Sequence, residues 1–68
     1  MNSEQATAAI ARSAALWPGP MRALARELRW SVEKLRAWTN GRKGCSARLR
    51  APRESDAIAV HDAVRRLL

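Results

Sequence analysis

Residues 22–53 carry ten basic side chains: Arg22, Arg26, Arg29, Lys34, Arg36, Arg42, Lys43, Arg48, Arg50 and Arg53. Only Glu27 and Glu33 oppose them. The rest of the 68-residue chain holds Arg12, Arg65 and Arg66 against Glu4, Glu54, Asp56 and Asp62, so the formal charge of +7 belongs to its middle. Cations clustered in this way attract a polyanion, either nucleic acid or an acidic membrane surface. Other chemistries lack their parts. Cys45 is the one cysteine and His61 the one histidine. Together they make no credible metal cluster. No Ser/His/Asp set converges and no glycine loop could cradle a phosphate, so neither enzymatic activity nor a cofactor or small-molecule ligand is expected.

The bases must be held by helices. A chain this short predicts one domain over residues 1–68, with a thin core. Ser3 reads as the cap of a first helix running from Glu4 to about Leu16, with Ala6, Ala9, Ile10, Ser13, Ala14 and Trp17 along one side. The sequence "WPGP" ends it. Pro20 suits the first position of a second helix, whose inner face is Met21, Leu24, Ala25 and Leu28. Ser31 is a natural N-cap for a third helix with Glu33 in its first turn, and Val32, Leu35 and Trp38 face inward. Asn40–Gly41 supplies the stop. Residues 42–51 are ambiguous. Ser46 can cap a single turn, or Ala47, Leu49 and Ala51 can alternate with Arg48 and Arg50 as a short basic strand. We favour a loop with one short turn. Pro52 suits the start of a last helix, with Glu54 and Asp56 near its beginning and Arg65 and Arg66 near its end. Its expected buried stripe is Ala57, Val60, Val64 and Leu67.

The stretch "LARELRWSVEKLRAW" breaks a good helix and begins another at once. Two short helices joined by a tight turn read as a helix-turn-helix, whose second helix lies in the DNA major groove. Ala25 is small where the helices cross, Leu28 and Leu35 pack between them, and Trp30 fills the outside of the turn. Trp30 is the tryptophan expected to be most exposed.

The segments "LAREL", "SVEKLRAW" and "NGRK" resemble the phage repressor and Cro family of helix-turn-helix proteins. The resemblance covers about residues 20–43, a third of the chain, and the alanine-rich first helix matches the family's first helix. It departs at Arg29, where the family usually has a glycine in a left-handed conformation. The implied fold is all-α, four or five short helices with a central helix-turn-helix, lambda-repressor-like. A short winged helix-turn-helix of the excisionase and MerR type is the alternative.

The resemblance implies base or adjacent phosphate contacts from Val32, Glu33, Lys34, Arg36 and Ala37. Arg36 can take guanine, Glu33 can accept from cytosine N4, and Val32 or Ala37 can touch a thymine methyl. Val32 reads equally well as core, and Glu33 as a complement to the helix dipole. Arg22, Asn40, Arg42, Lys43, Arg48 and Arg50 would hold the DNA backbone. The implied function is sequence-specific double-stranded DNA binding by a small bacterial or phage transcriptional repressor or regulator. A homodimer on a palindromic operator is expected, through a C-terminal helix bearing Ile58, Val60, Val64, Leu67 and Leu68. A protein-binding module, such as an antitoxin or inhibitor, is the competing class. No run of apolar residues is long enough to span a membrane, the first seventeen residues do not read as a secretory signal, and a lone cysteine suits a reducing cytoplasm.

Overall fold

The computed structural model describes residues 1–40 and 49–68, which form four α-helices and no strand. The possible turn at Ser46 and the alternation beginning at Ala47 fall largely outside the described residues. Leu49, Arg50 and Ala51 are irregular.

α1 spans Ser3–Ala15. Its cap is Asn2 rather than Ser3, because Asn2 and Gln5 satisfy each other. The Gln5 N–H donates to Asn2 Oδ1 and the Asn2 N–H donates to Gln5 Oε1, both at 2.9 Å. This reciprocal capping box pairs two backbone donors that a helix start otherwise leaves open. Two tightened bonds end α1, from Leu16 N–H to Ser13 and from Trp17 N–H to Ala14, both 3.1 Å. The Trp17 indole then donates to the Pro20 carbonyl at 2.9 Å, folding the "WPGP" turn on itself. Gly19 is required there, since a Cβ at that position would overlap the Trp17 ring.

α2 spans Met21–Leu28, with Pro20 just outside it in an extended conformation. It ends in a Schellman motif. The Trp30 N–H reaches the Ala25 carbonyl at 2.9 Å and the Arg29 N–H reaches Arg26 at 3.1 Å. That geometry needs a left-handed residue between them, and Arg29 adopts φ 59°, ψ 32°. Ser31 caps α3, Val32–Asn40, through a 3.1 Å bond from the Lys34 N–H to its Oγ. α4 spans Glu54–Leu67, two residues later than Pro52. Pro52 is buried instead, and Arg53 takes the N-cap position.

The core lies where α1 packs on α4 and on α3, and α2 packs on both α3 and α4. Ile10, Leu24, Leu35 and Val60 are its largest completely buried side chains. Burying each contributes roughly 1.5–3 kcal/mol. Ala6, Ala14, Ala25, Ala57 and Ala63 fill the rest of the interior and let the helix axes approach closely. Val60 and Val64 belong to this core, so they are not available as the dimer surface expected of them. Leu67 is half-buried against it, while Ile58 and Leu68 stay exposed. An Arg66–Glu27 ion pair at 2.9 Å ties the end of α4 to the end of α2.

A side chain in the left-handed region costs on the order of 1–2 kcal/mol, which glycine avoids at some expense in unfolded-state entropy. Arg29→Gly is therefore expected to preserve or raise the melting temperature. Arg29→Val, β-branched at positive φ, is expected to lower it. Thermal melts followed by circular dichroism check both. A loss of about 1 kcal/mol in the glycine variant would be the behaviour of a helical residue and would contradict the left-handed cap.

Candidate functional site

Successive residues of a helix are turned by about 100°, so α3 divides cleanly into faces. Leu35 and Trp38 are buried on the side toward the core. Val32, Lys34 and Thr39 flank them and are half-buried. Glu33, Arg36 and Asn40 are exposed, with Ala37 partly so. The positions 33, 36, 37 and 40 repeat at helical spacing and lie on one stripe directly opposite the core.

The five residues expected to meet bases therefore do not share a face. Glu33, Arg36 and Ala37 lie on the outward stripe. Val32 packs against the core, which favours its structural reading. Lys34 turns aside, with its Nζ 4.5 Å from the centre of the Trp30 ring and 4.8 Å from that of Trp38. An ammonium at such distances is held by the ring quadrupoles, for roughly 0.5–2 kcal/mol depending on exposure. Trp30, one of these two rings, is the tryptophan expected to be most exposed. It is half-buried and meets Trp38 edge to face, at 5.2 Å between centroids and 85° between planes. Part of the signal was in the sequence: Lys34 and Trp38 are four residues apart in α3, the spacing at which helical neighbours touch, while Trp30 stands just before the Ser31 cap.

Of the expected backbone contacts, Arg22 is exposed in the first turn of α2, and Asn40 shares the outward stripe of α3. Arg42, Lys43 and Arg48 lie outside the described residues. Arg50 has another engagement. Its Nη1 and Nη2 donate to Asp56 Oδ2 and Oδ1 at 2.7 and 3.0 Å, and its guanidinium carbon stands 5.3 Å from the Trp38 ring centre. A planar fork on a carboxylate is the geometry that arginine makes best. Sequence reasoning missed this pair because Asp56 was read only as a dipole complement. Asp56 is also the third residue of α4 and accepts the Arg53 N–H at 2.8 Å, the acidic half of a capping arrangement.

Asp56 is buried, yet its carboxyl titrates below the ordinary carboxylate range. The hydrogen bonds from Arg50 are the main cause. Burial opposes them, and the Arg53 N–H and the charges of Arg50 and Lys34 add to them. Two cations, two tryptophans and one carboxylate thus bind α3, the segment before α4 and the first turn of α4 into one unit.

Within the basic stretch 22–53 the exposed basic side chains among the described residues are Arg22, Arg26 and Arg29 on α2 and its end, Arg36 on α3, and Arg50 and Arg53 before α4. Among the described residues no group of three or more His, Cys, Asp or Glu side chains could hold a metal ion, and no helix is long and apolar enough to cross a membrane. The arrangement offers charge, hydrogen bonding and shape.

A carboxylate whose folded pKa is depressed stabilises the fold above its unfolded pKa, and the contribution is lost as pH falls through the folded value. Asp56→Asn should melt below the wild type at pH 7. The gap should narrow as pH falls below about 4, the usual aspartate value, and close once wild-type Asp56 is protonated. Melting curves between pH 7 and pH 2 test this. A gap of constant size would assign the loss to packing rather than to charge.

Comparison of the chain with protein-family models, with curated proteins and with solved structures finds no match.

Proposed function

We propose that this chain binds double-stranded DNA sequence-specifically through a helix-turn-helix formed by α2 and α3. In this reading α2 braces the phosphates and the outward stripe of α3 lies in the major groove. The observation that carries the proposal is the junction. An eight-residue helix and a nine-residue helix meet through three residues, with Arg29 left-handed and Ser31 capping the second helix. The left-handed residue also supports the repressor and Cro type over the winged alternative. The mobile counterions of DNA would be displaced by Arg22, Arg26, Arg29 and the other exposed bases of the central segment. In this reading the domain regulates transcription by occupying its site.

Basic charge alone would serve an acidic membrane or an acidic protein equally well. Selection from a random duplex library separates these. Enrichment of a short motif is the expected result, and the absence of any enriched sequence would overturn the proposal. Arg36, at the middle of the outward stripe, is assigned to guanine. Arg36→Ala should relax preference at one base pair, by roughly 1–3 kcal/mol of discrimination. Binding to the selected site and its single-base variants measures this, and an equal loss on every sequence would reduce Arg36 to a phosphate contact.

One recognition helix reads too few base pairs to define a regulatory site, so the proposal includes a symmetric dimer on a palindrome. With Val60 and Val64 committed to the core, its support moves to another face. Met1, Leu16 and Ile58 are 60%, 66% and 53% exposed. They border an open groove between α1 and α4 that Ala9, Arg12 and His61 also line. Sedimentation from micromolar to near-millimolar protein should show a dimer that Ile58→Glu abolishes. A wild type that stays monomeric and binds its site one to one would exclude the dimer.

A further inference from the structure

Asn40 lies on the outward stripe with Glu33 and Arg36, and Lys34 does not. We propose that Asn40 is a base-reading residue, taking adenine, and that Glu33, Arg36 and Asn40 together read three of the four base pairs that their stripe spans. The inference rests on the DNA-binding reading given above and refines which side chains carry its specificity.

Three observations lead to it. Positions 33, 36 and 40 are spaced by three and four residues, and all three side chains are exposed on the face opposite Leu35 and Trp38. From residue 33 to residue 40 a helix rises about 10 Å at 1.5 Å per residue. Base pairs stack about 3.4 Å apart, so the stripe covers about three steps when the helix follows the groove. The side chains also differ in what they offer. A carboxylate can only accept, a guanidinium can only donate, and an amide does both. Those abilities match the exposed edges of cytosine, guanine and adenine in that order. Asparagine is the side chain of the three that pairs bidentately with adenine, at N6 and N7.

The other basic residue of this helix is accounted for elsewhere. Lys34 Nζ sits over both tryptophan rings. Trp38 is in turn buried in the core and stands beside Arg50, which holds Asp56. Lys34 thus lies on the tryptophan side of α3. The seating of Leu35 and Trp38 in the core fixes the rotation of α3 about its own axis, and that rotation decides which stripe faces outward. A rotation of one residue's step, about 100°, would replace this stripe entirely.

The test uses the whole chain and the library-selected duplex. Binding of the wild type and of Asn40→Ala is measured on that duplex and on every single-base variant. The expected result is loss of preference at one A·T pair, by about 5- to 150-fold, the fold-change equivalent of a good bidentate pair. That pair should lie next to or one step beyond the pair that Arg36→Ala relaxes, on the side away from the pair relaxed by Glu33→Ala. Asn40→Asp should shift the preference at the same position toward cytosine, since a carboxylate only accepts. A helix-terminating role for Asn40 would instead lower the melting temperature and weaken all sequences alike. That outcome would overturn the proposal, as would an unchanged base profile in Asn40→Ala. If the wild type enriches no duplex at all, the DNA-binding reading fails first, and this inference with it.

Discussion

The left-handed backbone at Arg29 is the constraint on which the rest of the fold depends. A chain continuing in right-handed helix beyond Leu28 would carry Trp30, Leu35 and Trp38 straight past the core. The Schellman cap turns it back, and the two bonds that close it fix the direction in which Trp30 leaves α2. Ser31 can then start a new helix at once. The strain is of the order of 1–2 kcal/mol. It persists because the seating of Leu35 and Trp38 in the core returns more than that.

A core made largely of alanine makes the second half of this arrangement possible. Small side chains bring α1 close to its neighbours, but each contributes little burial. The interior therefore leans on five larger aliphatic residues, Ile10, Leu24, Leu35, Val60 and Val64, and on Trp38. Trp38 is too large to disappear into so thin a core, and its edges are covered by Trp30, Lys34 and Arg50. Cations and aromatic rings complete what aliphatic packing alone leaves open. The buried Asp56 is tolerated because the Arg50 fork and the Arg53 N–H satisfy its oxygens.

Helix existence and the inward faces were legible in the sequence because period, capping residues and breakers agreed along most of the chain. Leu24, Ala25, Leu35, Trp38, Ala57 and Val60 fall in the core as their spacing required. Boundaries moved by a residue or two: Asn2 caps α1 in place of Ser3, and α2 and α4 begin after Pro20 and Pro52 rather than at them. The candidate site was less legible, because charge type says nothing about where a long flexible side chain goes. Lys34 and Arg50 look like Arg36 in a sequence, yet only Arg36 is left on the outward face. Val60 and Val64 were read rightly as the buried stripe of α4, but their second reading, as part of a dimer surface, failed for the opposite reason. An apolar stripe signals burial without saying whether the cover is intramolecular, and here α1 supplies it.

This redistribution of cations changes what the net charge means for binding a polyanion. The salt dependence of such binding counts phosphates neutralised at the interface, not the formal charge of the chain. The Arg50 charge is matched by Asp56 at hydrogen-bond distance, and Lys34 is drawn against two rings. Glu27, the partner of Arg66, adds a further local neutralisation at the end of α2. The formal +7 already counts Asp56 and Glu27, so the long-range attraction stands, but fewer cations are free to meet phosphates and the exposed arginines of α2 and α3 carry more of that contact. Because the Arg50 fork on Asp56 also stands against Trp38, the proposed DNA-binding reading exchanges part of its affinity for a fixed orientation of α3. Reading base edges needs that orientation more than it needs additional charge, since phosphate contacts hold a protein on DNA without telling one sequence from another.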